Sequence, residues 1–282
     1  MEVQFSNSLK QIIDGNIKTE EKRVKMQLGK LILFGILAGM FIACGASASS
    51  VAMHNISNVG LARFVGGLIF PVGLMMIVLV GGELFTGDCL IILGLLDKKY
   101  NILQAVKVLV VVFVTNLVGS VMLAFFVYES GQWNYTDNLL GAYTIKVALG
   151  KTGLGATNAI FSGILCNIFV CMAVLMAAAA KEVTGKIFAM FFPIMAFVVS
   201  GYEHCVANMY YIPAGLIAKQ NEAYTAKAME AYNLTQAQID SLNIKTFFVN
   251  NLLFVTVGNI IGGMVFVGLI YYIVSREKNT AK

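Results

Sequence analysis

The sequence predicts an all-α integral membrane protein with six transmembrane helices, the second and fifth of them interrupted. Three observations predict it. Hydrophobic residues fill 58% of the 282 positions and charged residues only 12%, against roughly 45–50% and about 25% in soluble domains. The mean hydropathy is +0.78, so a core of this size cannot hide the apolar surface from water. Charged residues are also absent from 31–62, 64–82, 108–128, 152–180, 187–202 and 246–275, and a bilayer crossing needs roughly 20 apolar residues. Together these exclude a soluble enzyme, a nucleic-acid binder, a disordered chain and a secreted disulfide scaffold. The solvent is lipid, and 1–282 reads as one membrane domain.

Residues 1–30 mix Lys10, Asp14, Lys18, Glu20, Glu21, Lys22, Arg23, Lys25 and Lys30 with Phe5, Leu9, Ile12 and Ile13. They lack the apolar run of a signal peptide and read as an amphipathic helix on the membrane surface. The crossings follow at about 31–53, 61–96, 101–128, 154–180, 187–217 and 247–275, with a tail at 276–282. Six crossings put both termini on one side. That side carries Lys98, Lys99, Lys107, Lys181, Lys186, Arg276, Lys278, Lys282 and the six Lys and Arg of the leader. The other has Arg63, Lys146, Lys151, Lys219, Lys227 and Lys245, so the positive-inside rule puts the termini in the cytoplasm of a cell membrane. The five cysteines lie in apolar stretches without C-x-x-C spacing and read as packing residues, not metal ligands or disulfides.

The second and fifth crossings are unusual. Residues 61–96 would run about 54 Å as one helix at 1.5 Å per residue, too long for a hydrocarbon core of about 30 Å. Each contains a polar cluster, GGELFTGD at 81–88 and SGYEHCVANM at 200–209. Two crossings broken mid-membrane are the economical solution, and irregular backbone at depth is tolerated only beside protein or a watery cavity. The breaks match: Pro71 lies twelve residues before Glu83 and Pro193 ten before Glu203, each Glu closely following a glycine, Gly82 or Gly201. Residues 31–128 and 152–275 therefore read as a duplicated three-helix unit. A repeated unit of odd helix number inserts inverted, and paired breaks mark a conduction site.

Ionisable groups at membrane depth are functional candidates by default. Glu83 and Glu203 read first as braces, their carboxylates accepting N–H groups freed at the breaks, and Asp88 reads as a cap for the second half-helix. His204 sits in the break itself, and imidazole is the side chain that exchanges a proton near neutral pH; it is assigned to the pore. His54 reads as an ordinary loop histidine. For Thr86, a donor toward a substrate and a bond to its own backbone both stay open.

Four stretches, GGELFTGD at 81–88, GILCNIFVCMAVLMA at 163–177, GYEHCVANMYYIP at 201–213 and GNIIGG at 258–263, resemble the signatures of the formate/nitrite transporter family over residues 5–275. The resemblance implies an aquaporin-like fold of inverted 3+3 repeats assembled as a homopentamer with one pore per protomer. No Asn-Pro-Ala pair of the water channels is present. By the same resemblance His204 is the central pore histidine and Thr86 its partner. Lys151 resembles the periplasmic-side lysine and Asn167 the polar fourth-helix residue near the site. Leu74 with Phe70 resembles one apolar constriction, and Leu84, Phe85 and Phe197 resemble pieces of a cytoplasmic slit. The implied partners are small monovalent anions of weak acids (hydrosulfide, formate, nitrite), with the wording closest to the hydrosulfide channel subgroup.

An anion crosses an apolar constriction at far greater cost than its neutral acid. The expected mechanism has Lys151 and the half-helix ends drawing the anion in, with a proton supplied or stabilised at His204. Channel and proton symport both remain open. A neutral-solute facilitator shares the fold. An intramembrane hydrolase finds no triad or oxyanion signature and a metal transporter too few ligands, so no enzyme activity, cofactor or metal is expected.

Overall fold

The computed structural model describes residues 6–276; positions 1–5, with Phe5, and most of the tail, with Lys278 and Lys282, lie outside the described residues. The described chain is built from helices α1 (Leu9–Val24), α2 (Leu28–Met53), α3 (Val59–Val80), α4 (Phe85–Leu96), α5 (Ile102–Glu129), α6 (Leu139–Thr152), α7 (Ala156–Ala179), α8 (Val183–Ser200), α9 (Cys205–Ala218), α10 (Glu222–Tyr232), α11 (Gln236–Ser241) and α12 (Thr246–Arg276). Six of these, α2, α3, α5, α7, α8 and α12, are long and apolar enough to cross a membrane. Their polarity is inside out. On α5 Val106, Val110, Val114, Val118 and Phe125 are exposed, while Thr115, Asn116, Ser120 and Ala124 are buried. The apolar stripe meets lipid or a neighbouring subunit; small and polar residues make the helix contacts.

The second and fifth crossings are interrupted, each into a longer and a shorter helix. Val59–Val80 and Val183–Ser200 each reach spanning length before the break, leaving only the short Phe85–Leu96 and Cys205–Ala218 after it. The break sites are fixed by glycines in conformations an L side chain resists: Gly81 at φ +120° and Gly201 at φ +73°. Each stops its helix two residues before a glutamate.

The freed backbone is clasped by one asparagine per break. Asn116 of α5 donates to the Glu83 carbonyl (2.9 Å) and the Gly35 carbonyl (2.8 Å), and its Oδ1 accepts the Phe85 N–H (2.9 Å). Asn259 of α12 donates to the carbonyls of Glu203 (3.0 Å) and Gly163 (2.8 Å), and accepts the Cys205 N–H (2.9 Å). The Glu83 N–H bonds the Phe34 carbonyl (3.2 Å) and the Glu203 N–H the Ser162 hydroxyl (3.0 Å). Phe34 and Ser162 each lie six residues into their helices, α2 and α7. That places each break about 9 Å from one end of its neighbour helix, and the inversion puts those ends on opposite faces.

The repeat is longer than three crossings. Phe34 and Ser162, Gly35 and Gly163, and the first residues of α2 and α7 are all 128 positions apart, and so are Arg23 and Lys151. Helix α6, which the hydropathy pattern gave no sign of, thus occupies in the second half the place of α1 in the first. The sequence suggested α1 on the membrane surface. Instead its apolar face, Ile13 and Ile17, is buried against protein with Leu90, Leu93 and Leu175, and Asn7, just before it, bonds the Ala178 and Ala179 carbonyls at the end of α7.

Substituting Asn116→Ala or Asn259→Ala strands one N–H and two carbonyls in a dry site, at about 1–3 kcal/mol per group. Each variant should lose about 3 kcal/mol or more in detergent unfolding, whereas Val114→Ala on the apolar stripe should lose less than about 1 kcal/mol. Equal unfolding curves for all three would contradict the clasp.

Candidate functional site

Because the two breaks face each other, the residues just after them meet. His204 and Leu84 hold equivalent places, each in extended conformation one residue ahead of a half-helix. The first break carries an alkyl group there and the second an imidazole. His204 is 2% exposed. Its Nδ1 accepts the Ala207 N–H (3.0 Å), capping α9, and its Nε2 lies 2.9 Å from the Thr86 hydroxyl. A ring nitrogen that accepts a backbone N–H carries no proton, so the proton sits on Nε2 and is donated to Thr86 Oγ1. The Thr86 hydroxyl has no other partner among the described residues, which leaves its own O–H to donate. The direction runs from the Ala207 N–H through imidazole to a hydroxyl donor at the centre of the protein.

Asn167 acts from behind. It is fully buried and lines neither cavity; its Nδ2 donates to the Thr86 carbonyl (3.1 Å) and the Asn259 carbonyl (2.7 Å), binding one break to the clasp of the other.

Two cavities reach toward this pair, and no residue lines both. One, of about 220 Å³, is lined by Phe70, Phe197, His204, Glu203, Lys151 and Arg63, among others; its mouth lies on the face opposite the chain termini. The second, of about 300 Å³, is lined by Leu74, Leu84, Glu83, Asp88, Glu20 and Arg23 among others, and opens beneath α1. The apolar residues are therefore grouped differently from the sequence expectation. Phe197 stands with Phe70, edge to face at 5.5 Å, and stacks on the His204 ring at 5.8 Å. Leu74 and Leu84 line the other cavity. Phe85 lines neither, its ring packed on Phe113 at 5.0 Å.

Both glutamates are braced by a cation from the equivalent helix. Glu203 receives Lys151 of α6 at 3.0 Å and Asn208 at 2.6 Å, with the wide π-helical turn at Thr246–Leu252 presenting Asn251 to the same carboxylate at 3.5 Å. Glu83 receives the Arg23 guanidinium of α1, which also pairs with Glu20 and, at 3.2 Å, with Asp88. Burial pushes the Glu20 carboxyl above the usual range. Asp88 was expected to cap α4; it lies four residues past the cap position and binds Arg23 instead. His54, outside the site, bonds the Val51 carbonyl of its own helix (2.7 Å) and the Thr136 hydroxyl of the loop before α6 (2.8 Å). The clasps Asn116 and Asn259 and the cations Arg23 and Arg63 were not singled out from sequence. A lone amide inside the uncharged run 108–128 was the available signal for Asn116; Asn259 shares its run with Asn250 and Asn251 and had none so clear. Among the described residues no group of His, Cys, Asp and Glu could hold a metal.

Residues 10–273 match the profile of the formate/nitrite transporter family. A probable formate transporter of Methanothermobacter thermautotrophicus is 36% identical over 270 residues, covering 89% of this chain and 91% of that protein. The formate channel FocA of Escherichia coli is 32% identical over 255 residues, covering 89% and 88%. Among solved structures, a pentameric formate channel with formate bound superposes with a TM-score of 0.79 at 34% identity, covering 89% of this chain and 98% of that one. An ion channel of the same family gives 0.79 at 28% identity, covering 93% and 98%.

The Lys151–Glu203 pair is nearly buried, at 16% and 8% side-chain exposure. Losing one partner of such a pair is more damaging than losing both. In thermal unfolding, Lys151→Met should therefore be less stable than the Lys151→Met/Glu203→Gln double variant, with a coupling of about 1–3 kcal/mol. Strictly additive losses would mean that the pair does not hold the break.

Proposed function

The chain belongs to the formate/nitrite transporter family, and on that premise we propose that it is a membrane channel for small monovalent weak-acid anions. It works as a homopentamer in the cytoplasmic membrane, termini inward, with one pore in each protomer. The pentameric formate channel it resembles supports the assembly, and the excess of Lys and Arg on the terminus side supports the orientation. The observation that carries the reading is the buried Thr86–His204 pair between two cavities closed by Phe70, Phe197, Leu74 and Leu84.

A bare ion between these side chains loses its hydration at several kcal/mol; the neutral acid does not. The Thr86 O–H offers the arriving anion one hydrogen bond at the constriction. His204 holds that hydroxyl in place and is a poor proton reservoir: releasing the Nε2 proton would leave an imidazolate. Adding one at Nδ1 would set N–H against the Ala207 N–H. The proton that neutralises the anion therefore comes from vestibule water, and acid and proton cross together. Formate leads the substrates by the names of the relatives. Hydrosulfide, favoured by the sequence wording, and nitrite fit the same donor.

Native mass measurement in detergent should give five copies; a tetramer or monomer would contradict the assembly. In proteoliposomes, wild-type flux of formate and hydrosulfide should rise as the pH falls. His204→Asn removes the ring that holds the Thr86 hydroxyl in place and loosens the filter against bare anions, so its flux should depend less on pH and carry net current. Superimposable pH profiles would remove His204 from the mechanism.

A further inference from the structure

The cavity opposite the termini contains two cations, and the one expected to attract anions is already engaged. Lys151 bonds Glu203 at 3.0 Å and lies over the Tyr211 ring at 5.1 Å. A paired charge presents a dipole to the mouth, and its field falls off faster than that of a free cation. Lys146, at the outer rim, is drawn over the Tyr232 ring at 4.2 Å. Arg63 is different. Among the described residues it has no carboxylate partner, so it supplies the uncompensated charge of this cavity.

Its position is built. Nη1 donates to the Val199 carbonyl at 3.4 Å, near the end of α8. The guanidinium fills the space left by Gly201, where a Cβ would stand 2.2 Å from Nη1. Arg63, Met53, Tyr143 and Val147 line both the inner cavity and a hollow of about 600 Å³ outside it, so the guanidinium stands at the threshold between them. Most of its donors are free in a rigid planar fork. Beside it the Tyr143 hydroxyl, held at about 12 by burial, stays a neutral donor with no partner among the described residues.

We infer that Arg63 is the anion-binding residue of the outer vestibule, holding the small monovalent anion before it reaches Thr86 and His204. The inference rests on the anion-channel reading and adds a specificity to it. A planar fork pairs with two oxygens at once, so Arg63 favours formate and nitrite over single-atom hydrosulfide. Lysine at the same place would serve all three as a point charge.

The test is initial uptake of formate and hydrosulfide into proteoliposomes by wild type, Arg63→Gln and Arg63→Lys. Concentration is varied at low ionic strength and at ~0.3 M salt. Arg63→Gln should raise the half-saturating formate concentration about fivefold at low salt, the factor of one unit-charge contact in water. The difference should shrink at high salt, and it should fall on half-saturation more than on maximal rate. Arg63→Lys should restore hydrosulfide half-saturation but leave formate weaker than wild type. Wild-type half-saturation for Arg63→Gln at low salt would overturn the assignment. If Arg63→Gln does not assemble, Arg63→Lys decides: a salt-independent loss equal for both anions makes Arg63 a structural cap of α8 and overturns it. Absence of anion uptake by wild type would instead sink the channel reading itself.

Discussion

Between Gly81 and Leu84, and again between Gly201 and His204, the backbone leaves its helix inside a bilayer, where water cannot replace the lost partners. Two asparagine side chains replace them, each giving two donors and one acceptor to its break. Everything at the centre depends on this constraint. With the breaks held, Leu84 and His204 are fixed at the starts of two short helices, Thr86 lies in the first turn of one of them, and Asn167 ties the halves together. The irregular segments that a membrane protein can least tolerate thus have their freed backbone groups paired.

Inverted duplication produces two mouths of one architecture and different charge. In each, a glutamate after the glycine break takes a cation from a short helix that precedes the repeat, Arg23 from α1 or Lys151 from α6. On the terminus side one guanidinium faces the three carboxylates of Glu20, Glu83 and Asp88; on the other, Lys151 and Arg63 face Glu203 alone. The second mouth is the more hospitable to an anion. The centre between the two mouths is uncharged and offers a hydroxyl.

Much of this was legible in the sequence because lipid leaves a strong imprint. Crossings expected at 31–53, 101–128, 154–180 and 247–275 correspond to Leu28–Met53, Ile102–Glu129, Ala156–Ala179 and Thr246–Arg276. The breaks were visible because Glu83 and Glu203 stand in apolar surroundings. Helices α6, α10 and α11 were not, since Lys146, Glu222, Lys227 and Asp240 interrupt any apolar run. Local capping signals, such as Thr235 with Gln238 before α11, were there to be read. The grouping of Phe197 with Phe70 was beyond the sequence, because aromatic residues on separate helices carry no mark of which cavity they close. The equivalence of Arg23 and Lys151 needed the structure to reveal the common spacing.

The central claim is that a weak acid crosses the Thr86–His204 constriction as a neutral molecule. The most direct test measures labelled formate uptake, lumenal pH and membrane current together in the same reconstituted vesicles. One proton should enter with each formate, with no net current. Formate uptake matched by current, with no change in lumenal pH, would contradict the account.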